Sequence, residues 1–409
     1  MEQDDHRILA RRLDLYHIEE DAPGMIYWHP AGWQLYRQLE EYLRGRMREL
    51  DYEEVSSPQL LPRSLWERSG HWEKFRENMF VVPRDSGRGM ALKPMSCPCH
   101  LQIFNSSLRS WRDLPMRLSE FGACHRDEPS GSMHGLLRTR GFVQDDAHVL
   151  CMPQQIESEV ARFVGLLSSV YSDLGFEAFD VALSLRPEKR AGSDEDWDQA
   201  EAQLLAAARS TGLSPVLQPG EGAFYGPKLE FALRDRQGRS WQCGTIQLDF
   251  VLPARLGASY ADSNGNRAVP VMLHHAIFGS MGRFIGILLE HHHGRLPFWL
   301  APVQVAVMPV SEHQLGIAQE LKRHLVAAGL RPKLFDESET LARRIVSSHD
   351  LMVPVVAVLG KREAQDGSIT LRSQQRQWVA DWHTGIAKLA ETATRRLTEV
   401  PPDMLAAVR

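Results

Sequence analysis

Residues 121–149, FGACHRDEPSGSMHGLLRTRGFVQDDAHV, constrain this chain more than any other stretch. They read as strand, turn, strand. Arg126 and Glu128 are two apart, so on an extended segment both side chains point to one face. Pro129, Ser130, Gly131 and Ser132 supply the turn. On the return run over 136–149, Arg138 and Arg140 share a face that Phe142, Gln144, Asp146 and His148 continue at period two. A face that runs cation, aromatic, amide, carboxylate, imidazole does not suit a hydrophobic core and reads as the floor of a ligand site. Arginine forks match phosphate or carboxylate. Taken alone, the same pattern also fits an exposed hairpin with a charged outer face.

Around this stretch, 409 residues leave room for two or three domains. A hydrophobic share of 43% and a charged share of 24% are those of a soluble globular protein. No run of about 18 apolar residues occurs, and the opening MEQDDHRILARR has no apolar signal core, so no membrane association and a cytoplasmic location are expected. Five cysteines in so long a chain argue against a disulfide framework. With a net charge of −5, any contact with RNA has to come from a local basic patch.

Taken in order, the pattern predicts an amphipathic helix over 33–50, where Leu35, Tyr36, Leu39, Tyr42, Leu43 and Met47 recur at three- and four-residue steps. A strand over 53–61 carries Pro58. The segment 93–100, KPMSCPCH, brings Cys97, Cys99 and His100 together, but no second Cys pair lies at finger spacing. A helix over 153–172, a strand over 179–185, a helix over 194–207 and strands over 230–233 and 240–251 follow. On the last of these, Gln242, Gly244 and Ile246 face one way and Cys243, Thr245 and Gln247 the other, so alternation does not settle which set lines a pocket. His291, His292 and His293 splay around a helix end and read as solvated. Beyond Pro302, strands over 303–308, 332–335, 354–359 and 368–371 alternate with helices over 312–328 and 340–348 and a last helix, which implies an α/β layer with some parallel pairing.

The run CHRDEPSGSMHGLLRTRGFVQDDAH resembles motif 2 of the class II aminoacyl-tRNA synthetases, in the form found in threonyl-tRNA synthetases. The helix and strand over 33–61 resemble motif 1, and 269–286, VPVMLHHAIFGSMGRFIG, resembles motif 3. Gly70-His71-Trp72, KPMSCPCH, EGAFYGPK and WQCGTIQLDF are similar to further stretches of the same family. The resemblance implies an α+β catalytic domain over 1–300, with an antiparallel sheet flanked by helices. A smaller anticodon-binding-like α/β domain with a mixed sheet would occupy 301–409.

It also implies ATP-dependent activation of threonine to threonyl-adenylate and transfer to tRNA(Thr) by a homodimer that uses Zn2+ and ATP with Mg2+. The matching positions carry the roles over. Arg126 would hold the α-phosphate, Arg138 the γ-phosphate, Glu128 the adenine amino group, and Phe142 and Arg283 the adenine faces. Gln242 and Thr245 complete the ATP positions. Gln144, Asp146, Tyr225, Lys228 and Gln247 would place the amino acid. Cys97, His148 and His274 would hold zinc with one position open to threonine. Arg126, Lys228 and His71 are the catalytic expectations, with His71 serving transfer to tRNA. The departures are Ser96, Cys99, His275 and Gly282, where the family has Asn, Gly, Arg and Glu, and Glu337, Ser338 and Gln374, where it has Arg, Asn and commonly a basic residue. A carboxylate at an RNA-facing position repels phosphate. The alternative is therefore a paralogue that passes threonine, or a similar amino acid, to a carrier protein or small molecule. The chain starts too late for the family's N-terminal domains, so no editing domain is expected.

Overall fold

The structure, a computed structural model, describes residues 4–83, 89–235, 237–336, 338–373 and 376–401. The chain divides into two compact units. One gathers residues 18–26 and 40–287, and the other residues 1–17, 27–39 and 288–409.

The first unit is built on an eight-stranded sheet. In chain order its strands are β1 (Glu53–Glu54), β2 (Met116–His125), β3 (Gly141–Cys151), β4 (Asp180–Ser184), β5 (Val216–Gln218), β6 (Lys228–Arg234), β7 (Ser240–Asp249) and β8 (Val271–Ala276). Across the sheet they run β5-β4-β6-β7-β8-β3-β2-β1. The six central strands pair antiparallel, and only the two edge pairs are parallel. Helix α1 (Pro30–Arg48) precedes the sheet, α2 (Cys97–Phe104) precedes β2, and α3 (Ile156–Asp173) and α4 (Asp194–Ser210) flank β4 in sequence. One face of α3 is apolar at helical spacing. Its Phe163 meets the ring of Phe231 on β6 at 5.7 Å and that of His275 on β8 at 4.9 Å, so α3 covers one face of the sheet. Gly244 makes the close fit possible, because a Cβ there would lie 2.3 Å from Leu167 Cδ1. Helix α5 (Met281–His291) follows β8.

Two expected strands end elsewhere. The return strand begins at Gly141, not Leu136, so Arg138 and Arg140 sit in the preceding loop and do not share the strand face of Phe142. The strand expected over 53–61 is split: Glu53–Glu54 joins the large sheet, and Leu60–Pro62 pairs with Met90–Leu92. Pro58 has no N–H for a ladder, which accounts for the break.

The second unit holds a five-stranded mixed sheet. Its strands are β9 (Val305–Pro309), β10 (Pro332–Leu334), β11 (Val355–Leu359), β12 (Ser368–Arg372) and β13 (Gln377–Asp381), in the order β10-β9-β11-β12-β13. Its helices are α6 (Leu315–Ala327), α7 (Leu341–Asp350), α8 (Lys361–Asp366) and α9 (Trp382–Thr394). Val305 and Val307 pack with Leu321, Leu325 and Leu389 of α6 and α9, while Ala306 and Met308 pack with Leu341 and Ile345 of α7. A strand buried on both faces is continuously apolar, which explains why VAVMP shows no polar alternation. The sequence pattern missed α8 and β13. Of the departures read here, Glu337 and Gln374 lie outside the described residues, and Ser338 directs its hydroxyl and amide to Asp336 Oδ1.

Candidate active site

The three strands β7, β8 and β3 form the floor of the site. Register places His274 directly opposite His148 on one side and Gln247 on the other, so all three side chains fall in one row across the sheet. Along β3 the same face carries Phe142, Gln144, Asp146 and His148, a span of roughly 20 Å at strand rise.

Strand β7 carries a feature alternation could not reveal. Phe231 pairs with Gly244 but Ala232 pairs with Gln242, so Cys243 is an extra residue, a β-bulge. The bulge shifts the phase by one. Gln242, Thr245 and Gln247 thereby line the same cavity, and Gln242 Nε2 donates to Thr245 Oγ1 at 2.6 Å. The loop before β6 leans on this strand. Gln247 Nε2 donates to the Gly226 carbonyl at 2.9 Å, and a Cβ on Gly226 would come within 1.8 Å of the Leu248 carbonyl oxygen. Only glycine allows that approach, which brings Tyr225 and Lys228 to the wall.

One end of the cavity offers metal donors. Cys97, His148 and His274 are buried and present ligand atoms within 4.8 Å of one another. Cys97 stands at the start of α2, and His148 Nε2 lies 3.1 Å from His274 Nδ1. His274 Nε2 lies 2.9 Å from Asp249 Oδ2, whose other oxygen accepts from the amides of Val251 and Leu252. With Nε2 as a donor there, Nδ1 turns its lone pair to the group. Burial pushes the Cys97 thiol well above its ordinary range, so a thiolate here calls for a cation beside it. One thiol and two imidazoles at this spacing fit a borderline-soft ion such as zinc. Asp146 borders the group. Its Oδ2 accepts from the Ser96 amide at 3.1 Å, and burial raises its carboxyl above the usual range.

The other end is cationic. Arg126 lies over the Phe142 ring at 5.1 Å and donates to the Pro94 carbonyl. Arg283, on the first turn of α5, donates to the carbonyls of Leu137 and Gln242 at 2.9 and 3.0 Å, and burial lowers its basicity. Arg138 pairs with Glu128 at 2.8 Å, and Lys228 pairs with Glu230.

Fifteen of the sixteen residues to which the resemblance gives a role line one cavity of about 450 Å³. The sixteenth, His71, is fully buried outside that lining. Its Nε2 is 3.7 Å from Cys97 Sγ, its Nδ1 is 2.8 Å from Ser69 Oγ, and burial lowers it to about 3. Sequence reading missed Asp145, which faces away from Asp146 and accepts from the amides of Ile277 and Phe278, joining β3 to the turn before α5. It also missed what His275 does in place of the family's arginine: its Nε2 lies 2.7 Å from the Tyr52 hydroxyl. Neither signal is visible without the third dimension, since the partners are far apart in the chain.

Residues 80–292 match the tRNA synthetase class II core domain (G, H, P, S and T), and residues 304–391 match an anticodon binding domain. The chain belongs to the class II tRNA synthetase family defined by that core. It is similar to the threonine--tRNA ligase of Granulibacter bethesdensis, at 53% identity over 407 residues, covering 98% of this chain and 62% of that one. To the threonine--tRNA ligase of Caulobacter vibrioides it is 51% identical over 409 residues, covering 100% of this chain and 62% of that one. The chain thus spans about three-fifths of the length of these curated relatives. Among solved structures, the RNA binding domain of threonyl-tRNA synthetase from Cryptosporidium parvum Iowa II superimposes with a TM-score of 0.91 at 38% identity, covering 98% of this chain and all of that one. A prolyl-tRNA synthetase from the same organism shares the fold at a TM-score of 0.72 and 18% identity, covering 96% of this chain and 76% of that one. Among the described residues, no helix is long and apolar enough to cross a membrane.

Proposed function

We propose that this chain activates threonine with ATP to threonyl-adenylate and passes the threonyl group to tRNA(Thr). The observation that carries the reading is the joining of a Cys97-His148-His274 group to an Arg126-Phe142-Arg283 group in one cavity, along a single strand face. The catalytic domain is assigned to 1–300 and an anticodon-binding-like domain to 301–409. The assembly is assigned as a cytoplasmic homodimer with the α1 region at its interface.

In the activation step a threonine carboxylate oxygen attacks the α-phosphorus. The new O–P bond forms as the bond to the bridging oxygen breaks, and pyrophosphate leaves with the electron pair. Negative charge builds on the α-phosphate oxygens, where Arg126 neutralises it from a position already held by the Pro94 carbonyl and the Phe142 ring. Phe142 and Arg283 take the two faces of adenine, and the carbonyls of Leu137 and Gln242 preset the guanidinium plane for that stack. Arg138 exchanges Glu128 for the γ-phosphate, which leaves the Glu128 carboxylate to accept from the adenine amino group. Gln242 and Thr245 hold the nucleotide from β7. Magnesium would accompany the phosphates.

Gln144, Tyr225, Lys228 and Gln247 orient threonine, and Asp146 accepts from its hydroxyl. Cys97, His148 and His274 would hold zinc, which when bound supplies a Lewis-acid position for the amino group and hydroxyl. His71, neutral in its buried setting, is assigned to proton transfer during delivery to tRNA.

Threonine-dependent exchange of pyrophosphate into ATP tests the first half, and charging of purified tRNA(Thr) tests the second. Exchange driven by another amino acid and not by threonine would overturn the reading of the pocket. Exchange without charging would favour delivery to a carrier protein or small molecule.

A further inference from the structure

His100 lies one turn beyond Cys97 on α2, so both side chains leave the same face of that helix. It is fully buried, yet it is not a member of the metal-donor group, because both ring nitrogens are engaged elsewhere. Its Nδ1 lies 2.8 Å from His148 Nδ1, and its Nε2 lies 3.2 Å from Glu120 Oε2. Glu120 is on β2, one step diagonal from His148 on the same face of the sheet, since Leu118 pairs with His148 and Glu120 with Asp146. The Glu120 carboxylate is itself saturated. It accepts from the Ser57 amide at 2.7 Å, the Ser57 hydroxyl at 2.8 Å and Lys93 Nζ at 3.0 Å, and Lys93 is fully buried.

This chain of contacts admits one arrangement of protons that leaves a lone pair for a metal. Burial opposes the charge of Glu120, but the hydrogen bonds from His100 and Ser57 and the charge of Lys93 prevail and hold it down to about 2. It is therefore an acceptor only, and His100 Nε2 carries a proton. The 2.8 Å between the two facing Nδ1 atoms holds a single proton, and the proton of His100 is already committed to Glu120 through Nε2. A neutral ring with its proton on Nε2 has a lone pair on Nδ1. His148 Nδ1 must then donate to it, and His148 Nε2 is left with a lone pair directed at Cys97 and His274. The opposite tautomer would put a proton where a metal ligand is needed. His274 is set directly by Asp249, whereas His148 is set at one remove.

We propose that His100 and Glu120, neutralised by Lys93, are positioning residues that fix the tautomer and ring orientation of His148 for metal binding. The proposal rests on the zinc reading above. Outer partners of this kind are typically worth about 10–100-fold in metal affinity.

The test measures zinc affinity by competition with a chelator, using wild type, His100→Phe and His100→Gln. His100→Phe removes the acceptor and keeps bulk, and a zinc affinity lower by about 10–100-fold is expected. Glutamine restores a carbonyl for His148 and an amide donor for Glu120, so His100→Gln should recover most of the loss. Metal-free His100→Phe should melt below the other two, because the buried His148 Nδ1–H loses its acceptor. Zinc affinity is therefore read on folded protein well below that melt, and the rescue by glutamine separates positioning from bulk. If wild type binds zinc and a folded His100→Phe binds it equally well, the relay is wrong. If wild type takes up no zinc, the reading of the site itself fails. Should His100→Phe not fold, nitrogen-15 spectra of histidine-labelled, zinc-loaded wild type decide the matter. A proton on His100 Nε2 and none on Nδ1 supports the relay, and a proton on Nδ1 overturns it.

Discussion

Replacing Asp145 separates the hydrogen bonds it accepts from the charge it could carry. Its Oδ2 takes the Ile277 amide at 2.6 Å and the Phe278 amide at 3.0 Å, while Oδ1 has only a longer contact of 3.2 Å. The residue is 2% exposed, so no bulk water replaces those bonds. In Asp145→Ala two buried amides lose their acceptor. At about 1–3 kcal/mol for each orphaned group, the loss in unfolding free energy should be about 2–6 kcal/mol. Burial, against the two amides, pushes the carboxyl up to about 8. Near neutral pH the side chain is then largely protonated, and asparagine matches that form, with a carbonyl for both amides and NH2 in place of OH. Asp145→Asn should cost less than about 1 kcal/mol. The sign of the pH dependence follows. A carboxyl with a folded value above its unfolded value, near 4, contributes stability fully below that pH and loses it as pH rises through 8. The stability of wild type minus that of Asp145→Asn should therefore fall steadily from pH 5 to pH 8 and change sign within that range, at about 1.4 kcal/mol per pH unit. Denaturant unfolding at several pH values measures both quantities. The clamped turn precedes α5 and Arg283, so in pyrophosphate exchange Asp145→Ala should raise the KM for ATP more than that for threonine. An Asn variant as damaged as Ala, with a wild-type advantage that grows with pH, would refute the argument and show that the anion is the native form.

Removing the metal, or making His148→Ala, should abolish threonine-dependent exchange, and metal analysis should find about one zinc per wild-type chain and none in the variant. Serine should drive exchange about 10–200-fold less efficiently than threonine, because it keeps the amino group and hydroxyl and lacks one methyl; a ratio of kcat/KM beyond about a thousandfold would require a discriminating contact other than the methyl. Gly282→Ala should stabilise the protein by about 0.4–1 kcal/mol in thermal unfolding, since an added Cβ meets only ordinary contacts, the nearest being the Leu136 carbonyl at 3.5 Å.

The face of Phe142, Gln144, Asp146 and His148 was legible because period two is a local property and its residue types are wrong for a core. Most strands and helices beyond Pro302 were legible as apolar runs broken by turns, but α8 and β13 were not. The unreadable parts have non-local causes. The bulge at Cys243 depends on how Phe231 and Ala232 pair across the sheet, so no inspection of 240–249 alone shows that Gln242 and Thr245 share a side. Arg138 and Arg140 alternate as if on a strand, but Arg140 receives its backbone partner from Gly24, outside any ladder. His100 sits in a cysteine cluster that invites a metal reading, and only its distance to Glu120, twenty residues away, gives it a different task.

The cations of the cavity divide by how they are held, and the division bears on what substrate binding costs. Among the described residues, no carboxylate pairs with Arg126 or Arg283. Carbonyl oxygens and aromatic rings orient both. A carbonyl is a dipole and leaves the net charge in place, so these two guanidiniums keep their attraction for an incoming polyanion without first breaking an ion pair. Arg138 is different: it is tied to Glu128, but its side chain is 48% exposed. A pair so open to water is worth about 0–1 kcal/mol, so a phosphate that draws Arg138 away forfeits little. The better buried cations are thus preset, and the mobile one is restrained by a weak contact. Under the proposed reaction this is the distribution that holds the α-phosphate and adenine rigidly while the outer phosphates, which must depart, are gripped by a side chain able to move with them.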